Sequence, residues 1–259
     1  MSAPETTVLT VAYDGAAFHG FARQPGLATV QGALESALRT LTGREIEIVG
    51  AGRTDAGVHA LGQVVSFASA PGDPDAAGLR RALSALAGPE IVVTGVRSAV
   101  EGFSARHDAV AREYRYILVA GPTPPLALRG RAWWVKKPLD LKAMREGGAR
   151  LVGEHDFRSF CVGESAQGHR TVRDVERIDI EESCELGERC VVLRITGRSF
   201  LHSMVRIVVG SLVEVGTGKR DPGWIEEALS ACRREAAGIT APAHGLTLWH
   251  VAYAEECWL

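Results

Sequence analysis

The sequence predicts an α/β protein of two halves. Two observations carry this. The first hundred residues order as strand–helix–strand–strand–helix–strand, the split-βαβ or ferredoxin-like unit. The rest of the chain again mixes strands with two or three helices. Val8 to Tyr13 is rich in β-formers and ends at Asp14-Gly15, a turn signal. Val30, Leu34, Ala37, Leu38 and Leu41 fall at helical spacing, and Gly43 supplies a stop. Glu45 to Val49 and Gln63 to Phe67 read as strands. Asp73-Pro74 offers an N-cap and a first-turn proline to a helix carrying Leu79, Leu83 and Leu86. Gly88-Pro89 ends that helix, and Ile91 to Val96 closes the unit.

The second half is less regular. Tyr114 to Val119 and Trp133 to Val135 read as strands. Leu139 to Leu151 reads as a helix ending at Gly153, weakened by Gly147-Gly148. Val175 to Ile180 and Cys190 to Ile195 read as a hairpin. Leu201 to Val215 is an apolar helix, and Asp221-Pro222 caps another that bears Ile225, Ala228, Leu229 and Cys232. Leu246 to Tyr253 is a closing strand. The polar stretch Val100 to Glu113 is the expected hinge, which divides the chain into residues 1–109 and 110–259.

Composition fits a globular chain with an ample core: 259 residues, 46% hydrophobic and 23% charged. The formal net charge of -2 argues mildly against a nucleic-acid partner, yet a basic surface can sit on an acidic body. The five cysteines are odd in number and form no Cys-x-x-Cys pair, as expected of reduced thiols. The start, MSAPETTVLTVAYDG, lacks the pattern of a signal peptide. The most apolar segment, Leu201 to Val215, contains Arg206 and Glu214 and falls short of the ~20 residues of a membrane span. A cytoplasmic protein without membrane contact is expected.

The densest constellation of reactive groups is Ala51 to Ala60, AGRTDAGVHA, between two expected strands. Loops held by a rigid sheet are where reactive groups usually sit; the plainer reading has Thr54 and Asp55 capping turns. The loop has neither the Gly-Lys-Ser/Thr ending of a phosphate-binding loop nor a dinucleotide fingerprint. Asp55 and His59 lack the companions of a metal site. Arg206 lies in an apolar run, so it needs a partner or a route to solvent. Tyr114 and Tyr116 alternate onto one face of their strand, and pattern alone does not choose between them.

GRTDAGVHA resembles the catalytic motif of the TruA-type tRNA pseudouridine synthases. YDGAAFHGFARQ with TVQGALESAL, FSARHDAVAREYRY, HDFRSFC with RTVRDV, SFLHSMVRIVVGSLVEVG and APAHGLTL resemble further blocks of that family, in order across nearly the whole chain. One departure is Gly20-Phe21-Ala22, where the family usually has Gly-Trp-Gln. The resemblance implies a pseudouridine synthase fold: two ferredoxin-like halves sharing a continuous, mainly antiparallel sheet flanked by helices, with a central cleft. It implies a homodimer that binds tRNA and isomerises uridines at tRNA positions 38 to 40, without metal or organic cofactor.

The resemblance further implies Asp55 as the essential carboxylate, Arg206 as its salt-bridge partner, Tyr114 as the group stacking on uracil and Leu246 as an apolar wall of the uracil pocket. A carboxylate suits this chemistry because it can stabilise or trap a cationic sugar; action on the base or on a sugar hydrogen stays open. A base inside a stacked stem must first be extruded, and Arg53 is the candidate to fill the space it leaves. Arg106 and Arg170, with Arg23, Arg112, Arg173, Lys219 and Arg220, are candidate contacts to the RNA backbone. Two rivals remain: a non-catalytic tandem RNA-binding module, and an Asp-dependent nucleoside hydrolase.

Overall fold

A computed structural model describes residues 6–162, 168 and 170–259. Residues 1–5, on which the reading of the amino terminus partly falls, lie outside the described residues. The chain divides into two compact units, Met1–Ala111 with Leu248–Leu259, and Arg112–Thr247. In chain order the elements are β1 (Thr6–Tyr13), α1 (Val30–Thr42), β2 (Val49–Gly50), β3 (His59–Ala68), α2 (Ala76–Leu86), β4 (Ile91–Ala99) and β5 (Ala109–Ala120). There follow β6 (Trp133–Val135), α3 (Leu141–Ala149), β7 (Gly153–Asp156), β8 (Val172–Glu185), β9 (Glu188–Gly197), α4 (Met204–Gly216), α5 (Trp224–Ser230) and β10 (Leu246–Tyr253). Strands and helices mix throughout and the pairing is mainly antiparallel, as expected; β6 on β5 is parallel.

In the first unit the strands run β4-β1-β3-β10, with β2 also paired to β3. The order βαββαβ is the one read from the sequence. β1 aligns Leu9 with Val65 on one side and Val96 on the other. Central β3 is buried almost continuously, while β4 alternates between buried and exposed, as an edge strand with one wet face should. α1 buries Val30, Leu34, Ala37 and Leu38; its Thr29 side chain accepts from the Gly32 N–H, and Gly43 ends it in the left-handed region.

Two local expectations change. Residues 45–48 are not strand: the Glu35 carboxylate accepts the Ile48 N–H (3.2 Å) and Gln31 donates to the Ile48 carbonyl (3.4 Å), so side chains of α1 take the backbone groups a ladder would use. Only Val49 and Gly50 pair with β3. The cap of α2 is Asp75, which accepts from the Gly78 N–H (2.8 Å). Asp73 closes the preceding turn by accepting from the Ala70 N–H, and it pairs with Arg44 at 2.6 Å.

The second unit has strand order β5-β9-β8-β7. Tyr114 lies opposite Ile195 across β5 and β9, and β8 and β9 form a long hairpin through Leu186-Gly187. Cys184 and Cys190 sit out of register on this hairpin, and both are free thiols. Gly147 and Gly148 do not break α3. Both are buried, facing Leu212 and Ile225 on one side and Ile178 on the other. α5 is shorter than expected: Asp221 accepts from the Gly223 N–H, the helix starts at Trp224, and Cys232 lies beyond its end with a positive φ of 47°.

Every residue of α4 except Arg206 is buried. A helix apolar all round belongs inside a core, and here the backbone of residues 238–241 lies directly against it. A Cβ on Gly210 would stand 1.8 Å from the Ile239 carbonyl oxygen. Gly210→Ala is therefore expected to push these two segments apart and destabilise the protein by about 1–3 kcal/mol or more. A thermal melt reads this, and an unchanged midpoint would contradict the close approach.

Candidate active site

The Asp55 loop joins β2 to β3 and is fixed from several sides. The Ala51 N–H donates to the Val64 carbonyl (2.8 Å) and the Phe21 N–H to the Thr54 carbonyl (3.1 Å). The Asp55 carbonyl accepts from the Val58 N–H (3.1 Å), closing a four-residue turn whose third residue, Gly57, has φ +80°. That conformation is the signature of a type II turn and favours glycine there. Asp55 thus stands half-buried at a turn corner, beside exposed Arg53 and Ala56.

Beneath the loop lies a buried polar cluster. The Tyr13 hydroxyl and Thr54 Oγ1 are 2.8 Å apart; Gln63 Nε2 donates to the Gly52 carbonyl (2.9 Å) and, at 3.4 Å, to the Tyr13 oxygen. β1 bulges between Val11 and Tyr13, a device that re-aims a side chain at a sheet end. Burial pushes the Tyr13 phenol up to about 12, against the smaller lowering effects of Thr54 and Gln63. The hydroxyl therefore stays protonated at neutral pH. Sequence reading passed over Tyr13 and Gln63, although a Gln inside the apolar run HALGQVVSF is a usable signal of a buried polar anchor.

Phe21, at the departure from the family pattern, is a packing residue. It is buried, and its ring lies where a Cβ on Gly50 would project. His59 is also buried. Its Nδ1 lies 3.1 Å from both the Gly15 N–H and Asp14 Oδ1. It accepts from the first only as a bare nitrogen and donates to the second only when it carries the proton. Arg106 is exposed in a tight turn closed by the Asp108 N–H on the Ser104 carbonyl (3.1 Å).

In the second unit Arg206 is half-buried in the first turn of α4. Its Nε donates to the Ala241 carbonyl (2.8 Å), and the Ala241 N–H donates to the Arg206 carbonyl (3.1 Å). This reciprocal pair fixes the guanidinium plane. Ser203, just ahead of the helix, has φ +58°, a strained backbone for a residue with a side chain. The structure also separates the two tyrosines. The Tyr116 hydroxyl donates to the Pro242 carbonyl (2.7 Å), its ring packs against Gly245, and burial drives its pKa well above the ordinary phenol value. Tyr116 thereby anchors the residues leading to Leu246, which is buried at the start of β10. Tyr114, on the same strand face, meets Phe200 edge-on at 5.3 Å.

The basic candidates differ in kind. Arg112 is buried and donates to the Arg198 carbonyl, so it is a structural residue rather than an exposed RNA contact. Arg170 is exposed, 3.7 Å from Glu154. Arg173 donates to the Arg170 and Val172 carbonyls. Arg23 pairs with Glu35 and Lys219 with Glu214, and Arg220 lies over Trp224. The structure brings Asp55 and Arg53 onto one loop of the first unit, and it gathers Arg206 and Tyr116 around residues 241–246 of the second. Among the described residues no group of three or more His, Cys, Asp or Glu is placed to hold a metal. No helix among them is long and apolar enough to cross a membrane.

A family model described as tRNA pseudouridine synthase matches residues 9–99 and 149–254. The chain belongs to the tRNA pseudouridine synthase family. A tRNA pseudouridine synthase A of Brevibacillus brevis is 44% identical over 243 residues, covering 94% of this chain and 97% of that one. One from Bacillus subtilis is 42% identical over 246 residues, with 94% and 97% covered. Likeness to solved structures is remote: a chain of the archaeal box H/ACA sRNP Nop10-Cbf5 complex has a TM-score of 0.34 at 14% identity, covering 88% of this chain and 59% of that one. The match to the synthase family takes in both the Asp55 loop and the Arg206 helix.

The buried phenol of the synthase has a consequence at high pH. A tyrosine free in the unfolded chain loses its proton near pH 10, whereas Tyr13 holds it to about 12. Unfolding then releases a proton, so stability is full below pH 10 and falls towards pH 12 at about 1.4 kcal/mol per pH unit. In urea melts between pH 9 and 11.5, Tyr13→Phe should remove the Tyr13 share of that alkaline loss, about half of the slope that it and the likewise buried Tyr116 produce together. It should also lower stability at pH 7 by about 1–3 kcal/mol, because Thr54 and Gln63 lose a buried partner. An unchanged alkaline slope would show that Tyr13 is not one of the buried titrating groups.

Proposed function

We propose that this isomerase converts uridine to pseudouridine at tRNA positions 38 to 40, with Asp55 as the essential carboxylate. As a family member the chain isomerises uridine in tRNA. The observation that carries the finer reading is Asp55 itself, held at a fixed turn corner within the stretch that the family model matches. The reaction breaks N1–C1′, turns the uracil and joins C5 to C1′; the C5 hydrogen is lost and N1 gains a proton. The carboxylate meets the positive charge that develops at C1′ as N1 leaves.

Arg206 is the salt-bridge partner of Asp55, in keeping with its immobilised guanidinium. Tyr114, whose ring is met edge-on by Phe200, stacks on the uracil. Leu246 is the apolar wall, Arg53 fills the space left by the extruded base, and Arg106 and Arg170 contact phosphates. In this reading residues 1–109 carry the catalytic loop and residues 110–259 complete the site. The enzyme works as a cytoplasmic homodimer without metal or organic cofactor.

Tritium release from tRNA carrying 5-tritiated uridine tests the reading. Wild type should release tritium without metal, nucleotide or free uracil. Asp55→Ala should lose about 10²–10⁴-fold or more in rate while still binding tRNA. Free uracil would indicate a hydrolase, and binding without release an RNA-binding module. Arg206→Lys retains the charge but loses the Nε–H that meets Ala241, so kcat should fall while tRNA affinity holds; an unchanged kcat would remove Arg206 from the chemistry.

A further inference from the structure

Residues 121–139 of the second unit lie outside both stretches matched by the family model. They carry Arg129, Arg131, Lys136 and Lys137 and no Asp or Glu, in a chain whose net charge is -2. The segment frames a pocket of about 380 Å³ lined by Pro124, Pro125, Arg129, Trp133, Trp134 and His244. Its walls are held in place. The Trp134 indole N–H donates to the Gly121 carbonyl (2.8 Å), and Lys136 Nζ stands 5.1 Å from the same indole ring. His244 Nε2 is 3.1 Å from the Ala132 carbonyl oxygen. The Glu188 carboxylate accepts the N–H groups of Leu126, Ala127 and Leu128 at 2.7 to 3.2 Å, and these bonds hold it below the usual carboxylate range. Glu188 is thus engaged with backbone donors of this loop.

We propose that this pocket is a subsite for an unpaired nucleotide of the tRNA, its base against the tryptophans and its phosphate beside Arg129 and Lys136. Stacking on an aromatic side chain tolerates any base, and a flanking cation supplies the phosphate contact. His244 comes two residues before Leu246, so the subsite adjoins the proposed uracil pocket. It would hold RNA near the target rather than the target itself. A second copy of the chain is the competing occupant. A two-fold contact through this surface would bring two patches of like charge together, whereas RNA supplies the opposite charge.

The inference rests on tRNA as the substrate, and its test separates the two. Binding of an unmodified tRNA transcript to the full chain is followed by fluorescence anisotropy at several salt concentrations, alongside tritium release and light scattering. Trp134→Ala should weaken binding about tenfold and raise KM by a similar factor, with kcat at saturating tRNA unchanged. Trp134→Phe, which keeps an aromatic face but loses the bond to Gly121, should bind almost as wild type. Lys136→Ala with Lys137→Ala should lower the salt dependence of binding by about one to two counterions. Wild-type affinity in Trp134→Ala, failure of Trp134→Phe to rescue, or a change of molecular mass in Trp134→Ala would overturn the subsite. Wild type that releases no tritium yet loses affinity through Trp134→Ala would overturn the catalytic reading and leave the subsite standing.

Discussion

The buried contact between Tyr13, Thr54 and Gln63 is the constraint on which the Asp55 loop depends. A hydroxyl and an amide removed from water have no alternative partners, so each bond they make is costly to break. Thr54 is clamped through its side chain by Tyr13 and through its carbonyl by the Phe21 N–H. Its neighbour Asp55 then has little backbone freedom left, because its own carbonyl closes the turn at Val58. The role proposed for Asp55 gains from such fixing, since a carboxylate already held in place needs no reorganisation at the moment of reaction.

The second unit uses the same logic with different groups. α4 is so apolar that its single half-buried cation must be satisfied by whatever lies beside it, and the carbonyl of Ala241 does this. The backbone of residues 238–241 approaches closely because Gly210 leaves room, and Ser211 bonds the Gly238 N–H at 2.9 Å. Tyr116 then secures Pro242. Arg206 and the residues leading to Leu246 are thereby parts of one packed assembly, although 35 positions separate Arg206 from Ala241.

The places where sequence reading and structure part are equally local. Residues 45–48 have the composition of a strand, yet Gln31 and Glu35 claim the backbone groups of Ile48. Asp73-Pro74 has the pattern of a helix start, but Asp75 is the residue whose carboxylate reaches the free N–H groups. Gly147-Gly148 weakens a helix by propensity, yet facing side chains make small residues useful there. At residues 45–48 and at Gly147-Gly148 partners distant in sequence decided between conformations of similar local cost, whereas at Asp75 the choice was made within one turn.

By itself the sequence determined the element order, because hydrophobic periodicity and turn residues act over a few positions and need no knowledge of distant partners. It also determined the family and the site candidates, through motifs that recur in order along the chain. Tertiary structure alone decided which polar residues are anchors. Tyr13 and Gln63 become loop supports, Arg112 becomes a buried brace, and Tyr116 is tied by its hydroxyl to the carbonyl of Pro242, 126 positions away. The physical reason is that a hydrogen bond in the core is chosen by proximity after packing, and packing is a property of the whole fold.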